Sequence, residues 1–245
     1  MSPRITLATA GRVLTQLRRD HRTAALLIVV PGLLMVLLRY VFDASPAVFD
    51  RIGLPLLGVF PFVTMFLVTS VAMLRERTSG TLERLLTTPL RKLDLLLGYG
   101  VAFAAAAAAQ ATVATAVAYR LLGLDTAGGP ALVVGVAIAN AVLGMALGLF
   151  VSAFARSEFQ AVQFMPAVVL PQVLLCGLLA PRDAMADWLR AASDVLPMTY
   201  AVDALTEIGT HGEVTGALVR DVAVVVGAAL AFLLLGAATL RRRTG

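Results

Sequence analysis

The side chains able to do covalent or proton chemistry are few. Two histidines, His21 and His211, one cysteine, Cys176, and one lysine, Lys92, are spread over 245 residues. Histidine is the natural base near neutral pH, but both histidines lie in polar segments. Cys176 stands alone inside an apolar run, so no intrachain disulfide can form. No His, Cys and carboxylate group has the spacing of a metal site. Lys92 follows Arg91 rather than a glycine-rich turn, so there is no phosphate-cradling loop. What remains is recognition rather than reaction. The candidates are neutral polar residues inside apolar runs and a dense polar run at 75–89.

The elements that must position these residues follow from composition. Hydrophobic residues make up 59% and charged residues 14%, against about 45–50% and about 25% in soluble domains. Mean hydropathy is +0.88. So few polar residues cannot cover a soluble surface, which excludes a soluble enzyme, a disordered chain and a nucleic-acid-binding module. The net charge of +5 then reads as basic residues on the cytoplasmic side of a membrane. About 20 apolar residues cross a bilayer as a helix. Charge-free runs of that size lie at 54–74, 95–119, 131–155, 159–180 and 222–240, and a sixth reaches spanning length over 24–42 if Arg39 snorkels. Pro166 and Pro171 predict a kink in the fifth. The fold class is therefore an all-α integral membrane domain of six spans over residues 1–245.

Six spans put both termini on one side. That side holds fourteen basic residues against six on the other, so both termini are predicted cytoplasmic, in the plasma membrane. Tyr40, Tyr119, Trp188 and Tyr200 fall near the opposite interface. Before the first span, Ile5, Leu7, Val13, Leu14 and Leu17 fill one helical arc, and Arg4, Arg12, Arg18, Arg19 and Arg22 fill the other. This predicts an interfacial amphipathic helix over 3–22 that lies on the inner leaflet against membrane lipids. The alternative is a basic tail that only sets topology. Asp20 and Gln16 intrude on the apolar side. The long polar stretch and the missing small-residue site argue against a cleaved signal peptide.

No ionisable residue sits at mid-depth of a span, which argues against a proton-coupled transporter. Gln110, Asn140, Gln163 and Gln172 read either as interhelical hydrogen bonds, worth about 0.6 kcal/mol each, or as the lining of a translocation path. Gly144, Gly148 and Ser152 share one face and permit close helix contact.

The run Arg75-Glu76-Arg77-Thr78-Ser79-Gly80-Thr81-Leu82-Glu83-Arg84-Leu85-Leu86-Thr87-Thr88-Pro89 lies in a predicted cytoplasmic loop over 75–94. Ser79 or Gly80 can start a short helix with Glu83 in its first turn. Leu82, Leu85 and Leu86 share one face, and Pro89 ends the element. So short an apolar stripe must be buried, either on its own bundle or in the groove of a partner.

This run resembles the coupling-loop signature of type-2 ABC (ATP-binding-cassette) transporter permeases. Two further stretches are similar to that family: 157–166, Ser-Glu-Phe-Gln-Ala-Val-Gln-Phe-Met-Pro, and 196–205, Leu-Pro-Met-Thr-Tyr-Ala-Val-Asp-Ala-Leu. The second departs where relatives carry Arg and this chain has Thr206. The Glu-Phe-Gln-Ala-Val-Gln-Phe run is most similar to daunorubicin-resistance-type drug or lipid export permeases. The resemblance implies a permease without its own ATPase site, paired with a second permease and a cytoplasmic ABC ATPase dimer that holds ATP and Mg. It implies a coupling helix at the ATPase contact, with Arg75, Glu76, Gly80, Thr81, Leu82, Glu83, Arg84, Leu85, Leu86 and Pro89 at or beside it. It also implies short helices in the acidic outer segment, 181–221, dipping into the outer leaflet, where Met185, Trp188, Leu189 and Ala192 share a face. The implied cargo is hydrophobic or amphipathic. The alternatives are an ion-coupled or facilitative transporter and a non-transporting scaffold.

Overall fold

The structure is a computed structural model that describes residues 3–79 and 92–239. Among the described residues there are nine α-helices and no strand: α1 Pro3–Arg19, α2 His21–Val41, α3 Pro46–Thr78, α4 Lys92–Arg120, α5 Pro130–Val151, α6 Glu158–Leu175, α7 Asp187–Val195, α8 Pro197–Thr210 and α9 Gly216–Thr239. A single 3-10 turn covers Arg182–Ala184. Six helices, α2 to α6 and α9, are long and apolar enough to cross a membrane.

Helix starts follow local chemistry. Proline opens α3, α5 and α8, where its missing N–H costs nothing. Asp20 caps α2 by accepting the Thr23 amide. Asp20 therefore breaks the predicted 3–22 helix: α1 stops at Arg19, and Arg22 belongs to the first turn of α2. Ser157 caps α6 by accepting the Gln160 amide at 3.2 Å, while the Gln160 side chain accepts from the Arg156 amide at 2.8 Å. This is a variant of the Ser-x-x-Gln capping box in which the return bond goes to the residue before the cap.

The centre of the bundle is the crossing of α3 and α5. A Cβ at Gly144 would overlap the Phe62 carbonyl, and one at Gly148 would overlap the Thr69 hydroxyl and the Phe66 backbone. Only hydrogen lets the two backbones approach this closely, and in lipid such close packing holds helices together in place of water exclusion. Thr69 Oγ1 donates across the crossing to the Met145 carbonyl at 3.2 Å. Phe49, Leu57, Phe62 and Phe66 are buried around it.

Helix α8 runs antiparallel to α3. Leu205 stands against Gly58, and Gly209 against Leu54. Its inner face, Met198, Ala201, Val202, Leu205 and Ile208, is buried. The 121–129 connection is pinned to its end by Gly128 N–H to Ile208 O, 2.8 Å. The predicted fifth span stops early. Helix α6 ends at Leu175 because Gly177 takes φ +89°, a left-handed stop that glycine adopts without strain. The last turn of α7 meets that end, with Ser193 Oγ donating to the Leu175 carbonyl at 2.8 Å. Within α7, Trp188 and Val195 point outward while Ser193 is buried.

Of the six candidate spans, α2, α6 and α9 bury the least. On α2, Leu26, Val29, Leu33, Leu37 and Tyr40 form an exposed stripe at three- and four-residue spacing, the pattern of a helix whose outer face meets hydrocarbon.

Candidate coupling site

The polar run begins as helix, not loop. α3 continues through Thr78, whose hydroxyl donates back to the Leu74 carbonyl at 3.1 Å, and Ser79 closes it by donating its amide to Arg75 O. Arg75 and Glu76 thus occupy the last turn of α3, which directly follows the apolar stretch ending at Leu74. Gly80, Thr81, Leu82, Glu83, Arg84, Leu85, Leu86 and Pro89 lie outside the described residues.

Arg75 and Glu76 project to different neighbours. Arg75 reaches α6, where Nε lies 2.7 Å from Glu158 Oε1 and Nη2 lies 3.0 Å from Oε2. Both forks are used, which fixes direction as well as distance. Glu76 reaches α1: its Oε1 lies 3.4 Å from Arg12 Nη1. Arg12 Nη2 donates to the Tyr99 hydroxyl of α4 at 2.8 Å, and its guanidinium lies 5.8 Å from the Tyr99 ring centroid. Two adjacent residues therefore tie the last turn of α3 to α1, α4 and α6. The Glu76 pair is the more enclosed, with 13% of that side chain exposed against 61% for Arg75. Exposed pairs are worth about 0–1 kcal/mol, so the fork positions α3 more than it stabilises it.

The packing of α1 explains why Arg12 turns inward. A Cβ at Gly98 of α4 would sit 2.5 Å from the Thr9 Cβ, and Thr9, Ala10 and Val13 are buried. This close seat rotates α1 so that Leu7 is exposed. The basic arc does not all face the same way. Arg4, Arg18, Arg19 and Arg22 are exposed, whereas Arg12 is half-buried.

The neutral polar residues are not brought together. Gln110 Nε2 donates to Thr64 Oγ1 on α3. Asn140 Nδ2 donates to the Gly58 carbonyl at 3.0 Å. Gln172 Nε2 reaches only Val168 O in its own helix, at 3.3 Å. Each of these three keeps a buried carbonyl oxygen with no hydrogen-bond partner among the described residues. Gln163 instead lies exposed on α6.

A second ionic group, at the opposite end of the bundle, was not legible from spacing. Arg182 Nη1 donates to Asp203 Oδ2 at 2.8 Å, and Nη2 pairs with Asp194. One guanidinium thus joins the 3-10 turn to α7 and α8. Burial pushes the Asp203 carboxyl up, against the pull of Arg182. The partners lie twelve and twenty-one residues away, and no helical or strand period links such separations.

Comparison with known proteins gives the arrangement its context. A protein from Dictyostelium discoideum called ABC transporter G family member 20 is 30% identical over 145 residues, 59% of this chain and 20% of that protein. The probable multidrug ABC transporter permease YbhR of Escherichia coli is 27% identical over 153 residues, 62% of this chain and 42% of its own length. The linearmycin resistance permease protein LnrN of Bacillus subtilis is 26% identical over 159 residues, 65% of this chain and 40% of its own. The chain thus spans a fifth to two fifths of these relatives. The family described as ABC-2 type transporter matches residues 5–209, which includes α1, the end of α3 and the start of α6. The chain is a multi-pass membrane protein that belongs to the ABC-2 type transporter family.

Proposed function

We propose that this chain is the membrane-spanning subunit of an ATP-driven exporter. ATP and Mg are held by a separate cytoplasmic ABC ATPase dimer, and the chain has no ATPase site of its own. The observation that carries the reading is the double tie at the end of α3. Residues 80–91 follow that turn directly, so a partner gripping Gly80, Thr81, Leu82, Glu83, Arg84, Leu85, Leu86 or Pro89 would pull on a turn anchored through Arg75 and Glu76. The load would reach α1, α4 and α6 as rigid bodies, which is how a nucleotide-driven closure could reorient helices. Both termini and the α3 end face the cytoplasm of a plasma membrane in this reading, with Arg4, Arg18, Arg19 and Arg22 toward lipid headgroups.

The family assignment and the relatives' printed names, multidrug and linearmycin resistance permeases, support export of a hydrophobic or amphipathic cargo. A second permease subunit fits the outer face of α6. Gln163 is exposed there with Leu170 and Leu174, and a glutamine facing hydrocarbon is costly unless another helix supplies its hydrogen bonds. The test is transport in proteoliposomes containing the chain and its ATPase. Movement of cargo that stops on ATP depletion and survives collapse of the proton gradient supports the reading. The reverse pattern supports an ion-coupled carrier.

A further inference from the structure

The segment 179–192 lies between the Gly177 stop of α6 and the start of α8, and little apolar packing holds it there. No residue from 179 to 192 is buried. Its large apolar side chains, Leu179 and Trp188, are exposed. Its neighbours are seated more firmly. Val169, Gln172 and Cys176 are buried at the end of α6, and the inner face of α8 is buried, with Leu205 against Gly58 of α3. Beneath the segment lies a cavity of about 360 Å³, lined by Cys176, Asp183, Arg190, Val202, Asp203 and Thr206 among others. The segment bridges this space instead of packing into it.

Polar bonds stand in for the missing packing, and they are unevenly placed. At the end of α7, Ser193 Oγ donates to the Leu175 carbonyl at 2.8 Å, Thr199 Oγ1 to the Ser193 carbonyl at 2.8 Å, and the Tyr200 hydroxyl to the Asp194 carbonyl at 2.7 Å. These bonds fix that end on α6 and α8. The rest of the segment has one attachment. Among the described residues, Arg182 makes the only side-chain hydrogen bonds from 179–192 to residues outside it: Nη1 to Asp203 Oδ2 at 2.8 Å, and Nη2 to Asp194. Arg190 pairs at 3.6 Å with Asp183, inside the segment. At the other end Gly177, at φ +89°, is a turn residue with no Cβ to restrict its rotation. A stretch with few buried contacts, held by partly exposed bonds, opens locally at low cost.

We infer that 179–192 is a strap pinned across the end of α6 by Arg182. It opens by releasing Asp203, pivoting at Gly177 and Ser193, while α8 stays on α3. The placing of this end outside the cell, and any part the strap plays in cargo release, rest on the export reading; the strap itself does not.

Cys176 is the chain's one cysteine, and it is buried in the wall of the cavity, so it reports opening. The test is its rate of alkylation by iodoacetamide in the full chain in neutral detergent. Arg182→Gln should speed alkylation by about ten- to a hundredfold, as expected for losing charge-assisted hydrogen bonds. Loss of a nearby cation alone disfavours the thiolate and would slow the reaction, so a faster rate reports opening. Arg182→Lys keeps the charge without the two-pronged grip and should fall between. Asp183→Asn removes only the pair inside the strap and should leave the rate unchanged. Amide exchange at Leu205 and Ile208, on the buried face of α8, should stay as slow as in the unsubstituted chain. Salt gives a second measurement, on the unsubstituted chain, should Arg182→Gln fold poorly. Sodium chloride at about 1 M screens a partly exposed pair and should raise the rate severalfold. A rate moved by neither Arg182→Gln nor salt would overturn the strap, and so would a rise matched by faster exchange at Leu205 and Ile208. The experiment needs neither ATP nor a partner, so its failure counts against the strap alone. Failed ATP-driven movement in the reconstituted complex counts against the export reading alone.

Discussion

Arg75 of α3 grips Glu158 of α6 with both of its forks, at 2.7 and 3.0 Å, across 83 residues of sequence. Glu158 is the first residue of α6, immediately after the Ser157 cap. A carboxylate there is favoured by the helix N-terminus as well as by the guanidinium. One ion pair thus joins the end of one candidate span to the start of another, beside the segment proposed to dock a partner.

This pair should matter for transport and little for stability. Arg75→Ala and Glu158→Ala should each shift unfolding by about 0–1 kcal/mol, because both side chains are mostly exposed, yet each should cut ATP-dependent transport severalfold. The exchange Arg75→Glu with Glu158→Arg should recover part of that loss. A thermal melt beside a transport assay, arranged as a double-mutant cycle, separates the two effects.

Glu76 should behave differently. It is enclosed and shared by Arg12, with Tyr99 beside them. Glu76→Gln leaves the half-buried Arg12 without its counter-charge, and we expect a loss of about 1–3 kcal/mol in unfolding free energy. Amide exchange along α1, read at Thr9, Ala10 and Val13, which are buried, should quicken in the same variant as α1 loosens.

The glycines of α5 make a paired prediction. Gly144→Val drives a side chain into the Phe62 backbone and should destabilise by about 3 kcal/mol or more, since backbone cannot step aside as a flexible side chain can. Gly135→Ala meets nothing within 4 Å and should stabilise by up to about 1 kcal/mol through helix propensity. Expression level and thermal unfolding in detergent read both.

Asp20 predicts an acid response at the α1–α2 turn. Its carboxyl is lowered from 3.8 by the Thr23 hydroxyl and amide. A lowered acid stabilises the folded turn above its unfolded pKa, and that contribution is lost as pH falls through the lowered value. Protection of the Thr23 amide, measured against its intrinsic exchange rate at each pH, should therefore fall below about pH 4. Asp20→Asn, which caps without titrating, should flatten that fall.

Much of this architecture was legible in the sequence because lipid imposes a length and a polarity on each span. The six long helices follow from apolar runs, and Gly144 and Gly148 announced a close helix contact, although their spacing does not name α3 as the partner. Helix ends were less legible. The 75–94 loop lost its first turn to α3, because charged residues continue a helix as readily as apolar ones once it has left the hydrocarbon. The fifth span lost its last residues to Gly177, a local backbone choice that hydropathy cannot register. Arg12 was grouped with the basic arc of an interfacial helix, but the close seat of Thr9 on Gly98 turns it inward to Glu76 and Tyr99. The pairs Arg75–Glu158 and Arg182–Asp203 join residues remote in sequence, and only the packed bundle brings them together.

The central claim is that a separate ATPase drives this chain through the segment after α3. It is tested most directly by Glu83→Lys in proteoliposomes with the partner ATPase, where ATP-dependent cargo movement and co-purification of the ATPase are measured together. The account predicts a membrane-inserted, folded chain that has lost both, because a lysine places the wrong charge at the docking contact. Transport and co-purification at the unsubstituted level would contradict it.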